Sequence, residues 1–165
     1  MGLFTVTNAT LFLALIFLSN SEAYGVDLHW LWDNQCKECH GHSAEFARKF
    51  LQVTNGQLQG RHYTEDLHLF MRNHYAFDIE TDAIYDMLLA QTQIEPRFKQ
   101  ECGACHGSAA SFVRQSVTLQ AEDLLSRESG QHIRDFLQQH RQLDTNDINF
   151  FIRLLTRVAR EVYRP

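Results

Sequence analysis

The first apolar signal along the chain is a run of eight, Leu11 to Leu18, followed by polar Ser19 to Ser21 and a small-residue site ending at Ala23. Such a run has the length of an export signal's apolar part and falls short of the ~20 residues that span a bilayer. We expect residues 1–23 to be a signal peptide; the first ten lack Lys and Arg, which keeps an uncleaved anchor open. Beyond it, apolar positions recur at helical spacing. Leu67, Phe70, Met71 and His74 fall at i, i+3, i+4 and i+7, Ile133, Phe136, Leu137 and His140 repeat the pattern, and Thr64 and Ser129 are the expected caps. Further helices are expected at Asp27–Cys39, from Pro96 into the second cysteine pair, at Thr81–Thr92 and at Thr145–Tyr163. No strand-like alternation of useful length appears, so the expected fold class is mainly α.

The paired pattern is part of a longer repeat. Sliding the chain on itself by 66 positions aligns Cys36 with Cys102 and gives 14 identities in the 55 positions from 36 to 90. They include Gly41/Gly107, Phe46/Phe112, Phe70/Phe136 and His74/His140. An aromatic residue also stands four before each first cysteine, Trp32 and Phe98. The chain after the signal therefore reads as a duplicated unit, residues 24–94 and 95–165. Units this small usually need a metal, disulfides or a cofactor to complete a core.

All four cysteines lie in two identical motifs, Cys36-Lys37-Glu38-Cys39-His40 and Cys102-Gly103-Ala104-Cys105-His106. Each is C-x-x-C-H, the attachment signature of c-type haem. Two thiols three positions apart reach the two vinyl groups of one haem, and the next residue is carried to the iron. A disulfide or redox pair within each C-x-x-C leaves both histidines unexplained. A shared zinc site would place the pairs about 15 to 20 residues apart, whereas 62 residues separate Cys39 from Cys102. Two covalent haems, with His40 and His106 as proximal ligands, are the expectation.

The sixth ligand decides between electron transfer and chemistry at an open iron. Beyond the initiator, methionine occurs only at Met71 and Met87, both in the first unit, so the second has none of its own. His74 and His140 each stand 34 residues after a motif histidine and are the expected ligands; Met71, on the same helical face as His74, is the rival. His29, His42, His62, His68 and His132 have no histidine counterpart in the other unit and are expected at the surface or around the ligands.

The motif residues 36–40 and 102–106, with His74 and His140, resemble the soluble dihaem c-type cytochromes built from two small class I-like domains. The resemblance covers most of the chain after residue 23. It implies two tandem helical lobes, each around one covalent haem, acting as a periplasmic electron carrier. The sequence departs from the usual pattern in lacking a Met-Pro-type ligand loop, and its candidate ligand comes sooner after the motif. Two low-potential bis-histidine haems follow from that departure.

Charge refines the picture. The net charge of −5 argues against a nucleic-acid binder, leaving protein redox donors and acceptors as expected partners, with membrane contact only through an uncleaved N-terminus or a membrane-bound partner. The charge is uneven, 5 basic and 10 acidic residues in 24–94 against 10 and 9 in 95–165. Two arginine pairs recur, Arg48/Arg114 and Arg61/Arg127, and one pair is expected to bind haem propionates, the alternative being solvated arginines. Arg153, Arg157, Arg160 and Arg164 form a helical stripe, expected either as a solvated face or as a guide for an acidic partner. No catalytic constellation stands out. A haem enzyme or gas binder with one open iron, or a subunit of a membrane oxidoreductase or haem polymer, is the alternative to a carrier.

Overall fold

The computed structural model describes residues 25–62, 66–74 and 80–164, so the expected signal segment and Thr64 lie outside the described residues. The chain is mainly helical, and its elements come in two matching series. The first runs α1 (Leu28–Gln35), α2 (Lys37–His40), α3 (Ser43–Phe50), β1 (Leu51–Thr54), β2 (Gln57–Gly60), α4 (Leu67–His74) and α5 (Thr81–Gln93). The second begins with a π-helical turn, Phe98–Cys102, and continues α6 (Gly103–His106), α7 (Ala109–Ser116), β3 (Val117–Gln120), β4 (Asp123–Ser126), α8 (Ile133–His140) and α9 (Thr145–Val162). From α2 to α4 every boundary recurs 66 positions later, as in Lys37–His40 and Gly103–His106.

The strands correct the expectation of a chain without them. Each unit holds a two-stranded antiparallel hairpin, with Leu51 opposite Gly60 in one and Val117 opposite Ser126 in the other. Asn55 (φ 52°) and Gly56 (φ 77°) make the first turn, a primed hairpin turn that takes two left-handed residues. Its strands are four residues long, too short for alternation to register.

Helix starts also differ in detail. Asp66 Oδ1 accepts from Leu69 N at 3.0 Å and so caps α4. Ser129 does not cap α8; its hydroxyl accepts from Gln131 N at 3.3 Å inside a turn, and His132 occupies the cap position. Pro96 stands just outside the helix it was expected to begin, its carbonyl accepting from Gln100 N at 3.2 Å. Asp27 and Asp144 cap α1 and α9 through bonds of 2.9 Å to Trp30 N and Asp147 N.

Buried apolar residues gather in two clusters. Leu28, Trp32, Leu58, Met87 and Leu88 belong to one, and Phe98, Val113, Phe151, Leu155 and Val158 to the other. Ile94, last in the expected first unit, packs against the second cluster. Each fully buried side chain of this size contributes about 2 kcal/mol.

The two units are joined by ion pairs. Asp27 accepts from Arg114 Nε at 2.5 Å and Nη2 at 3.0 Å, His29 Nε2 meets Glu161 Oε2 at 2.8 Å, and Arg164 pairs with Glu80 and Lys99 with Glu45. Beside these contacts lies a cavity of about 480 Å³ lined from both units, with Ser43 and Gln91 on one side and Ala109 and Arg157 on the other.

Candidate haem sites

The motif is one turn of helix in both units. His40 N bonds to Cys36 O at 2.9 Å, which sets the histidine a full turn beyond the first cysteine. Gly41 and Gly107 then end the turn at φ 69°, their amides donating to Lys37 O at 2.8 Å and Gly103 O at 2.9 Å. Glycine is the residue type that enters this left-handed position at least cost. It turns the chain sharply into α3 and α7, whose Phe46 and Phe112 come back against the motif histidines. Phe46 meets the His40 ring edge-on at 4.7 Å and 70°, and Phe112 meets His106 at 4.8 Å and 69°.

The last residues of α4 and α8 face those rings. His74 stands 5.9 Å from His40 between ring centroids, at 63° between planes, and His140 stands 6.0 Å from His106, at 61°. Each pair lines a cleft. The first is bordered by Cys36, Phe46, Phe70 and Met71, the second by Cys102, Cys105, Phe112 and Phe136. Phe70 and Phe136 stack on the distal histidines at 5.0 Å and 20°, and at 4.8 Å and 22°. The structure thus brings together the motif and distal histidines expected from sequence, twice and in nearly the same geometry. The self-alignment marked the four phenylalanines as identities but gave them no role. Their signal lay in spacing, since Phe70 and Phe136 precede their histidines by four, one helical turn.

The electrostatics act on His40 at the first site. Burial, and then the charge of His74, hold the His40 imidazole below its ordinary pKa, toward the form with a free lone pair. Burial pushes the Cys36 thiol up, and burial followed by the Glu101 charge does the same for Cys102. That is opposite to the shift that activates a redox C-x-x-C. All four cysteines are free, with Cys39 and Cys105 exposed. Among the described residues no group of three or more His, Cys, Asp or Glu gathers as a metal cage; each cleft offers two opposed imidazoles.

The remaining candidates fall elsewhere. Met71 borders the first cleft, while Met87 is 1% exposed in the core. Arg114 is engaged by Asp27, Arg127 donates to Tyr163 Oη at 2.7 Å, Arg61 donates to the Arg48 carbonyl at 3.2 Å, and Arg48 lines the cavity between units. Three of the four stripe arginines have acidic partners, while Arg153 is exposed. Arg157 pairs with Glu161 at 2.8 Å, Arg160 with Glu122 and Arg164 with Glu80, two of these on the side that meets the first unit. His29 joins that interface through Glu161, and His68 pairs with Asp82 at 3.1 Å. Among the described residues no helix is long and apolar enough to cross a membrane.

The chain matches no protein-family model, and neither a curated protein nor a solved structure is significantly similar to it.

Proposed function

We propose that this chain is a dihaem c-type cytochrome of the periplasm, an electron carrier with two low-potential bis-histidine haems. The carrying observation is the pair of opposed imidazoles that recurs in both units beside a C-x-x-C. A metal held on opposite sides by two imidazoles, with bonds of about 2 Å, sets ring centroids about 6 Å apart. The centroids stand at 5.9 and 6.0 Å, so the residues present fit the group. The cysteine pairs, of which Cys36 borders the first cleft and Cys102 and Cys105 the second, would supply the group's covalent anchors.

The bound iron would supply one-electron redox chemistry. This chain's residues do the rest. His40 and His106 would hold the group from a helical turn ended by glycine, and His74 and His140 from the ends of α4 and α8, so that little in this chain need rearrange with a change of charge. The edge and stacking phenylalanines restrict both rings. A second histidine in place of a thioether lowers the potential, because the soft sulfur that favours ferrous iron is absent. Asp27, Arg114, His29 and Glu161 hold the two units against each other, which keeps the two sites at a fixed separation for exchange between them. The partners are protein donors and acceptors.

The test is a haem count per chain by pyridine haemochrome, with optical spectra of the oxidised, reduced and carbon monoxide-treated protein. Two haems, no far-red thioether band and no carbon monoxide response are expected. No haem overturns the reading, and a rapid carbon monoxide shift transfers it to an enzyme or gas binder with one open iron.

A further inference from the structure

We propose that Phe70 and Phe136 are positioning residues that hold the distal imidazoles of His74 and His140 crossed to those of His40 and His106, making both irons crossed-plane centres. The inference rests on the bis-histidine reading above and goes beyond it. Within each pair the rings meet at 63° and 61°, far from parallel. Each ring has its own aromatic restraint. The proximal one is met edge-on by Phe46 or Phe112 at 70° or 69°, and the distal one lies nearly flat on Phe70 or Phe136 at 20° or 22°. A stacked ring cannot turn about its Cβ–Cγ bond by tens of degrees without losing that overlap. The stack therefore fixes the distal plane, and the motif turn fixes the proximal one.

Contact within the protein alone does not account for these phenylalanines, each of which also borders the cleft that the group would fill. Phe70 is 40% exposed and Phe136 39%, among the most exposed large apolar side chains described. Nor does helix formation, because their neighbours differ freely between units, with Leu69 against Asp135, Met71 against Leu137 and Arg72 against Gln138. A half-exposed Phe identical in both units, one turn before the ligand and flat against it, fits a role in orienting that ligand.

Orientation has an electronic consequence. Each imidazole donates π density along its ring normal into one of two iron d orbitals. Parallel rings raise one orbital and split the pair, whereas crossed rings raise both and leave them close in energy. In ferric low-spin iron the first case gives a rhombic electron paramagnetic resonance spectrum. The second gives a strongly anisotropic one, dominated by a single line at very low field.

The experiment uses the ferric holoprotein at cryogenic temperature, with Phe70→Leu, Phe136→Leu and the stack-preserving Phe136→Tyr, each checked for haem content and optical spectrum. The wild type is expected to show only the low-field anisotropic signal. Each leucine variant should move half of that intensity to a rhombic spectrum, and Phe136→Tyr should leave it in place. Leucine keeps both positions apolar, so the leucine variants are expected to fold and load two haems. A rhombic wild-type spectrum, or leucine variants identical to wild type, overturns the crossed-plane inference while a bis-histidine optical spectrum stands. Loss of haem in the wild type, or a thioether band, overturns the ligand reading beneath it.

Discussion

The two units share one frame but divide its uses. Around the histidine pairs they are near copies, with ring separations of 5.9 and 6.0 Å and plane angles of 63° and 61°. At the surface where they meet they are not. Asp27, His29, Glu45 and Glu80 of the first unit face Arg114, Glu161, Lys99 and Arg164 of the second, and of these only Arg114 has an identical counterpart, Arg48. Even that identity conceals a divergence. Arg114 is clamped by both oxygens of a carboxylate, whereas Arg48 lines the cavity between units. Identity between the units holds around the histidine pairs and is sparse across the surface where they meet. The uneven charge of the halves follows, since acidic groups on one side find basic partners on the other.

The largest effect should come from removing one unit's anchor. Replacing Cys102 and Cys105 by Ser is expected to halve the haem content and leave the first site's spectrum unchanged, as read by mass and pyridine haemochrome. Loss of both haems would show that the units do not load independently.

Next in size is a test of the ligand difference. His140→Ala should open the second iron fully to carbon monoxide, because Leu137 stands where the first unit has Met71. His74→Ala should bind carbon monoxide more slowly and gain a far-red thioether band, because Met71 borders the same cleft and can take the vacated position. Equal behaviour of the two variants would remove Met71 from the account.

The interface separates the two arginines. Arg114→Ala should cost about 1–2 kcal/mol in chemical denaturation, a charged hydrogen bond discounted for partial exposure, while Arg48→Ala should stay within about 0.5 kcal/mol. The clamp also has a pH signature. Burial alone would raise the Asp27 carboxyl, but hydrogen bonds from Arg114 and the Trp30 amide and nearby positive charge outweigh it and hold it below its ordinary value of 3.8. A carboxylate depressed in the folded state stabilises at pH above its unfolded value, and that stabilisation is lost as pH falls through the folded one. Asp27→Asn keeps the cap but not the charge. Wild type should therefore exceed this variant in stability at pH 6, with the difference shrinking only as pH falls below the ordinary value of 3.8.

What was legible in the sequence follows the same division. The duplication, the cysteine motifs, both distal histidines and the closing helices rest on local spacing, and periodicity reads local spacing well. The interface was illegible, since Asp27 and Arg114 lie 87 positions apart and nothing in either neighbourhood points to the other. The α9 arginines illustrate the loss. Their spacing marks a polar stripe, but a helix pattern does not distinguish water from Glu161 or Glu80 as the group that stripe meets. The hairpins were missed for a different reason. Four-residue strands carry little alternation, and the one strong cue, Asn55-Gly56 between Val53 and Leu58, sits in the first unit alone.

That cue supplies the smallest and cleanest contrast. Both hairpin turns place the same position in the left-handed region, Asn55 at φ 52° in one and its counterpart Ala121 at φ 53° in the other, and the first turn adds Gly56 at φ 77°. A Cβ at Gly56 would meet nothing within 4 Å, so substitution there acts through backbone strain alone. Gly56→Ala should destabilise by about 1 kcal/mol. Ala121→Gly relieves strain at the position Asn55 holds in the first unit but loosens the unfolded chain, and a net gain of no more than about 0.5 kcal/mol is expected. Opposite signs in paired denaturation curves would show that Ala121 carries a strain that the first unit eases with Asn55, a residue type more tolerant of the left-handed region. A loss at both positions would instead place the cost of Ala121→Gly in the unfolded state, with Ala121 resting comfortably where it is.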